Sequence, residues 1–344
     1  MAFEFKAVAP ADFPFEQKLR FLLRRESYPE NPLRVESIET HMSWVFLTET
    51  HAYKLKKPVR YDFLDFSTLE ARKFDSEEEV RLNQRLAPSV YLGVLPLTLD
   101  STGVLEMGGD GTIVDWLVKM RRLPTDQMLA YGIRQGVITQ EDLKRAAMLL
   151  SKFYLSSTPV SMTETEYLDR FNRYVNANLR ELLDSRYQLP QDIVADITTA
   201  QLVFLKEDSE LLKERVQGGK IIEAHGDLRP EHICLGPEPV VIDCLEFNRE
   251  YRILDIVDEL AFLAMECDRL DALSVGRLFI DTYSEVSGDK PPQRLLDFYK
   301  SYRAMLRAKI ALWHLNDSGA GDPKRWTNLA REYLFLAAVY TQGL

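Results

Sequence analysis

Only three cysteines occur in the 344 residues, Cys234, Cys244 and Cys267, each among apolar neighbours and none in a C-x-x-C pair. That excludes a disulfide framework and a cysteine zinc site, and predicts reduced thiols in a core. Also missing is any run of 18 apolar residues, the length a membrane-spanning helix needs. The N-terminal MAFEFKAVAP lacks the basic region and apolar run of a secretion signal, so the expected compartment is the cytoplasm. Basic residues are outnumbered, 43 Lys and Arg against 53 Asp and Glu, for a net charge of -10. A broad nucleic-acid or anionic-membrane surface needs the opposite sign, so neither is an expected partner. There is no low-complexity tract, no repeat at a solenoid period and no G-x-x-x-x-G-K-[ST] phosphate loop. What is present, 46% hydrophobic and 28% charged residues, is the composition of a globular protein with material for a sizeable core. At this length two domains or lobes are expected.

In the first third, Phe15, Leu19, Leu22 and Leu23 fall at helical spacing before Pro29 and Pro32, predicting a leading helix. Strands are expected over Leu33–Glu39, Trp44–Thr48 and Ala52–Val59. Within the last run the alternation puts Lys54 and Lys56 on one face and Tyr53 and Leu55 on the other. The helix formers of Thr68–Ala87 offer Leu69, Phe74 or Val80, Leu82 and Leu86 as a buried stripe, and Pro88 stops them. Val90–Leu97 and Ile113–Met120 read as further strands around a glycine-rich turn at Gly103–Gly111. A boundary near Arg122–Pro124 gives two domains, 1–122 and 123–344. Beyond it, apolar i, i+3, i+4 spacing predicts helices over Gln140–Tyr154, Glu164–Leu183, Asp192–Val216, Ile253–Cys267, Ala272–Val286, Gln293–Leu315 and Trp326–Tyr340.

One stretch interrupts those helices: KIIEAHGDLRPEHICLGPEPVVIDCLEF, from Lys220 to Phe247. Apolar runs bounded by Gly and Pro predict strand, loop, strand, turn, strand, holding Asp227 and Asp243 at one end of a small ribbon. A carboxylate in a rigid loop can take a proton from an attacking hydroxyl, and a second can hold Mg²⁺ on nucleotide phosphates. An H-G-D tripeptide by itself equally describes a surface turn with a capping aspartate. The flanking strands, the second aspartate, and a lysine strand followed by a Glu-bearing helix favour the catalytic reading, because phosphate binding commonly uses a lysine fixed by a glutamate.

These residues carry a family resemblance. AHGDLRPEHICLG, followed by VVIDCLEF and DIVDELAFL, resembles the H-G-D-x-x-x-x-N, I-D-W/F-E and D-x-x-x-[DE]-L-A series of the aminoglycoside phosphotransferase and choline kinase superfamily, a branch of the protein-kinase-like fold. The match is strong over residues 222–263 and weak elsewhere. YKLKKPVRYDFLDFSTLEARK is similar to a bacterial branch of predicted kinases, some of which carry a P-loop domain besides. The resemblance implies an α+β, two-lobed protein-kinase-like fold, with a small antiparallel β lobe and a larger helical lobe carrying a catalytic β-hairpin. It implies an ATP- and Mg²⁺-dependent phosphotransferase whose acceptor is a small-molecule hydroxyl.

By the same resemblance Asp227 matches the catalytic base and Asp243 the principal Mg²⁺ ligand. Lys54 matches the lysine on the α and β phosphates, with Lys56 as its competitor. Glu79 takes the place of that lysine's helical partner, with Glu78 as its competitor. Met120, Arg121, Arg122 and Leu123 would be the hinge whose backbone meets the adenine. His225 and Glu259 would brace the loop and the following helix. The chain departs from the pattern at His232, where the family has an asparagine as second metal ligand. Imidazole is a poor Mg²⁺ ligand, so the options are a metal held by Asp243 with water, a preference for Mn²⁺, or an impaired site, with His232 standing as a metal ligand, direct or through water, or as a structural residue. Two other readings stand beside the kinase: a nucleotide-binding pseudokinase or interaction module, and a metallohydrolase-like cluster of His225, Asp227, His232 and Asp243. The acceptor region is expected around Thr163–Arg173 and the helix with Tyr302, Arg303 and Arg307, where the two arginines either bind an anionic acceptor or form a salt-bridged helix face.

Overall fold

The computed structural model describes residues 13–61, 64–316 and 322–344. The N-terminal MAFEFKAVAP, and Asp62 and Phe63 of the kinase-like stretch, lie outside the described residues. Two compact units emerge: one runs to Thr125 and includes Val241–Arg249, and the other comprises Asp126–Val240 with Glu250–Leu344. This differs from a single boundary at 122/123, chiefly because Val241–Arg249 leaves the second unit for the first. Its backbone explains the change. The N–H groups of Val241, Asp243 and Cys244 donate to Leu86 O, Tyr91 Oη and Asn83 Oδ1, all in the first unit.

The first unit begins with α1 (Phe15–Leu22), then β1 (Glu36–Glu39), β2 (Ser43–Leu47) and β3 (His51–Lys56). The short pair β4 (Arg60–Tyr61) and β5 (Leu64–Asp65) leads to α2 (Leu69–Asn83), followed by β6 (Tyr91–Leu99), β7 (Leu105–Met107) and β8 (Thr112–Arg121). Six strands form one antiparallel sheet in the order β1-β2-β3-β8-β6-β7. β7 falls inside the glycine-rich turn expected from sequence, a three-residue strand too short to show a period.

Alternation along β3 sorts its side chains as expected. Tyr53 and Leu55 join Leu22, Tyr28, Phe46 and Leu117 in an apolar cluster that also receives Phe15 and Leu19 of α1. Lys54 and Lys56 point to the opposite face, toward α2, so that of the expected stripe Leu82 and Leu86 are buried but Phe74 is not. Phe74 is 67% exposed, and the buried residues of α2 include Arg72, Asp75, Ser76, Glu79 and Asn83. A helix laid over a lysine-bearing face gains more from carboxylates than from phenyl rings, since a buried ammonium must be paired. Asp115 of β8 ties both layers together, accepting from Lys18 Nζ of α1 at 2.7 Å and from Arg72 Nε of α2 at 2.8 Å. The N-cap Thr68 accepts from Ala71 N and starts α2.

The second unit carries α3 (Leu129–Gln135), α4 (Gln140–Ser156), α5 (Glu164–Leu182), α6 (Gln191–Glu207) and α7 (Ser209–Gln217). The helix expected over Asp192–Val216 is thus two, parted at Asp208. Then come β9 (Ile221–Glu223), β10 (Ile233–Cys234), β11 (Val240–Val241), whose second residue already belongs to the first unit, and β12 (Ile253–Asp255), and finally α8 (Ile256–Arg269), α9 (Leu273–Ser287), α10 (Gln293–Trp313) and α11 (Pro323–Thr341). Ile253–Asp255 was expected to open a helix. It pairs antiparallel with β9 instead, and Asp255 then caps α8 by accepting from Val257 N at 2.9 Å.

Every residue of α8 from Ile256 to Cys267 is buried, so this helix is the axis of the second unit. Its Phe262 and Met265 meet Val194 and Ile197 of α6, Met305 and Leu312 of α10, and Tyr333 and Leu334 of α11. α9 crosses it closely enough that a Cβ at Gly276 would stand 2.6 Å from Ala264 Cα, which restricts that position to glycine. Cys234, Cys244 and Cys267 are buried. Among the described residues no helix is long and apolar enough to cross a membrane.

Candidate functional site

In the first unit, period-two spacing on β3 and helical spacing on α2 bring Lys54, Lys56 and Glu79 together. Lys54 Nζ lies 2.9 Å from Glu79 Oε1 and 3.1 Å from Asp243 Oδ1. Lys56 Nζ lies 2.7 Å from Glu79 Oε2, 2.6 Å from Glu246 Oε1 and 2.7 Å from Asp75 Oδ2. Glu79 therefore spans both lysines, one with each oxygen. The two competitors raised by the sequence fall into other places: Glu78 pairs with Arg81 at 2.7 Å, and Lys56 is buried beneath three carboxylates. Lys54, at 14% exposure, keeps access to solvent.

Burial alone works against every charge in this cluster, and the partners decide the outcome. For Lys54, Asp243 and Glu79 outweigh burial and hold its pKa well above the ordinary lysine value. Burial likewise pushes Glu79 up, but Lys54 and Lys56 prevail and keep it below the usual glutamate range. Glu246 goes the other way: burial, aided by Glu79 and opposed by Lys56, pushes it up to about 7. Asp75, Glu79, Asp243 and Glu246 outnumber the two ammoniums, and Asp243, 47% exposed, is the most open of the four.

Asp243 is also conformationally marked. Its φ of +62° is in the left-handed region, uncommon for a residue with a side chain and a frequent sign of a constrained functional position. Side chains fix this turn: Tyr91 Oη accepts from Asp243 N at 3.1 Å and Asn83 Oδ1 from Cys244 N at 2.9 Å. A rigidly held, exposed carboxylate on the negative side of the cluster suits Mg²⁺, which takes oxygen donors and keeps several waters.

The expected hinge is the end of β8 together with the residues just after it. Met120 pairs with Ala52 and Tyr91, Arg121 N donates to Val90 O at 2.8 Å, and Arg122 N donates to Thr50 O at 2.9 Å. The Arg122 guanidinium turns back onto Thr48 O at 2.7 Å. The N–H groups of Arg121 and Arg122 thus serve the sheet, and Leu123 is the next residue along.

In the second unit, β9 delivers the H-G-D loop. Glu259 Oε1 of α8 accepts from both His225 N and Gly226 N at 2.7 Å, and Tyr154 Oη donates to Glu259 Oε2 at 2.8 Å. Gly226, at φ +88°, supplies the turn that aims the next residue. That residue, Asp227, is 28% exposed and pairs through Oδ2 with Arg229 at 3.1 Å.

His232, expected as a metal ligand, is committed to this loop. Its Nδ1 is 2.7 Å from Asp227 O, a group that only accepts, so Nδ1 carries the proton. Its Nε2 is 2.9 Å from Arg229 Nη2, a group that only donates, so the imidazole lone pair is spent there. A metal would have to displace a guanidinium to reach it. Among the described residues no group of three or more His, Cys, Asp or Glu side chains is arranged to hold a metal ion. Both ring nitrogens of His232, the expected metal ligand, are thus engaged within the loop, which weighs against the metallohydrolase reading. The arginines of the α10 face are spent too. Arg303 makes a bidentate pair with Asp258 at 2.7 Å, and Arg307 lies 3.1 Å from Glu266.

No family model matches the chain. An uncharacterised protein of Mycobacterium tuberculosis is 34% identical over 307 residues, which cover 88% of this chain and 60% of that protein. The chain thus spans less than two thirds of that curated relative. A choline kinase from Cryptosporidium parvum superimposes with a TM-score of 0.54 at 12% identity, covering 95% of each chain. A thermostable mutant of an aminoglycoside phosphotransferase gives 0.50 at 11% identity, over 88% of this chain and 94% of the other. The fold is that of choline kinases and aminoglycoside phosphotransferases. Within this kinase-like fold, sequence reasoning missed Tyr91, Asn83, Arg229 and Glu246 as contributors. Glu246 alone had a signal, its place three residues after Asp243 in IDCLEF.

Proposed function

We propose that the chain is an ATP-dependent phosphotransferase acting on a hydroxyl of a small molecule. The observation that carries this reading is the placement of Lys54 Nζ within 3.1 Å of both the buried Glu79 and the exposed Asp243. This is an ammonium kept charged and aimed by one carboxylate beside a second that suits a metal. Lys54 neutralises phosphate charge, and Glu79 limits its wandering. Asp243 would hold Mg²⁺, and the bound ion would supply charge neutralisation on the phosphates. Asp227 orients the acceptor hydroxyl and takes its proton as the oxygen bonds to the γ-phosphorus and the bond to the β-γ bridging oxygen breaks, releasing ADP. Arg229 and His232 keep the Asp227 carboxylate and its loop in one orientation.

The test is ADP release measured across a panel of alcohols, sugars, amino alcohols and aminoglycosides, for the wild type and Asp227→Ala. Loss of a positioned base costs about 10²-fold to 10⁴-fold, so the variant should lose turnover while Mg²⁺-ATP still raises its melting temperature. Equal turnover in both proteins overturns the proposal. Nucleotide binding without turnover on any acceptor favours the interaction module.

A further inference from the structure

Lys56 is the feature that the phosphotransferase reading leaves unused. A buried ammonium is costly unless fully paired, yet this one sits two residues from Lys54 on the same face of β3. Its three contacts come from two elements: Asp75 and Glu79 on α2, and Glu246 on the segment that carries Asp243. The pattern is a ladder. Lys54 reaches Asp243, Lys56 reaches Glu246 three residues on, and Glu79 lies between the two lysines with one oxygen on each.

The rungs are not equivalent. Asp243 is 47% exposed and Lys54 14%, so the outer rung can exchange its contact for a ligand, whereas Lys56 at 1% and Glu246 at 10% form an inner rung closed to solvent. On the phosphotransferase reading, Lys54 and Asp243 would give up their mutual contact when each takes a new partner, phosphate for Lys54 and metal for Asp243. Something else must hold Glu79 in place and keep the Asp243 segment on the sheet at that moment. We infer that Lys56, through Glu79 and Glu246, is a positioning residue that keeps the metal-binding carboxylate and the phosphate-binding lysine in register when their mutual contact is given up. This inference rests on the proposed function for its role, but the inner rung itself is a property of the unliganded protein.

Two measurements on the full chain test it separately. Hydrogen exchange followed by mass spectrometry, without nucleotide or metal, should show faster exchange in peptides covering Val241–Arg249 for Lys56→Met than for the wild type, with peptides of α8 unchanged. In turnover assays the Mg²⁺ concentration for half-maximal rate should rise about 10-fold or more in Lys56→Met, as for partners that orient a metal ligand. Glu246→Gln, which keeps the volume and removes the charge, should shift both readouts in the same direction and serves alone if Lys56→Met does not fold. In the double variant the Mg²⁺ shift should not exceed that of Lys56→Met, because both changes cut one rung. Unchanged exchange at Val241–Arg249, or a wild-type Mg²⁺ requirement in folded Lys56→Met, or shifts that multiply in the double variant, each overturn the inference. A wild-type protein without turnover overturns the proposed function instead, and the exchange measurement still decides whether the rung exists.

Discussion

Replacing Glu259 with alanine would strip the H-G-D loop of its anchor, and the cost can be worked from the contacts. One oxygen accepts from two backbone N–H groups at 2.7 Å and the other from the Tyr154 hydroxyl at 2.8 Å, all of them buried. Hydrogen bonds to a charged group contribute about 1.5–3 kcal/mol each, and buried donors left unpaired cost about 1–3 kcal/mol each. Against that stands the burial of the charge itself, which raises the Glu259 pKa despite Gly226, Tyr154 and Arg303. Allowing for that relief, Glu259→Ala should lose about 4 kcal/mol, a large part of the roughly 5–15 kcal/mol that keeps a domain folded. Glu259→Gln keeps an acceptor for both N–H groups and lets the amide donate to Tyr154, so its loss should stay near 1 kcal/mol. The sign of the pH dependence comes from the same burial. A carboxyl whose folded pKa is raised holds its proton longer in the folded state, so the wild type loses stability relative to Glu259→Gln as pH climbs from the unfolded value through the raised one. Urea denaturation of the three proteins at pH 5 and pH 8 measures both effects. An alanine variant within about 1 kcal/mol of the wild type would refute the reasoning.

Two further expectations concern α10. Burial lowers the Lys309 pKa to about 8, with Glu181 only partly offsetting it. From about 8 to the ordinary 10.5 the unfolded chain binds the proton that the folded chain has shed, so stability rises with pH across that window. Lys309→Met should therefore melt higher than the wild type at pH 7, with the gap narrowing toward pH 10; equal melting temperatures at pH 7 contradict this. Asp258→Ala leaves the buried Arg303 guanidinium without its bidentate partner and should cost about 3–5 kcal/mol. The same denaturation experiment, with Arg303→Met/Asp258→Met recovering most of the loss, checks that the penalty is the unpaired charge.

How much the sequence disclosed depended on whether a residue's partner was local. The face of β3 that carries Lys54 and Lys56 was legible because period-two alternation is a property of neighbours. The motif around Asp227 and Asp243 was legible because chemistry restricts residue types at short spacing. On α2 the expected Leu82 and Leu86 are buried, but the polar part of the buried face was missed because apolar periodicity assumes an apolar neighbour, and the neighbour there is a lysine face. The loop contacts of His232 were not legible for a similar reason: its two ring partners, Asp227 O and Arg229, depend on how the 3₁₀ turn at Pro230–His232 folds back. Lys56 with Glu246, separated by 190 positions, has no signature short of the tertiary structure.

The inclusion of Val241–Arg249 in the first unit also governs how this gene can be cut or recombined. The chain passes from one unit to the other after Thr125, again after Val240 and once more after Arg249. A fragment ending at Thr125 would lack Asp243 and Glu246, leaving Lys54 and Lys56 to share Asp75 and Glu79. A chimera that exchanges the first third with a homologue must therefore carry the distant segment with it, or graft a lysine pair onto carboxylates shaped for another strand.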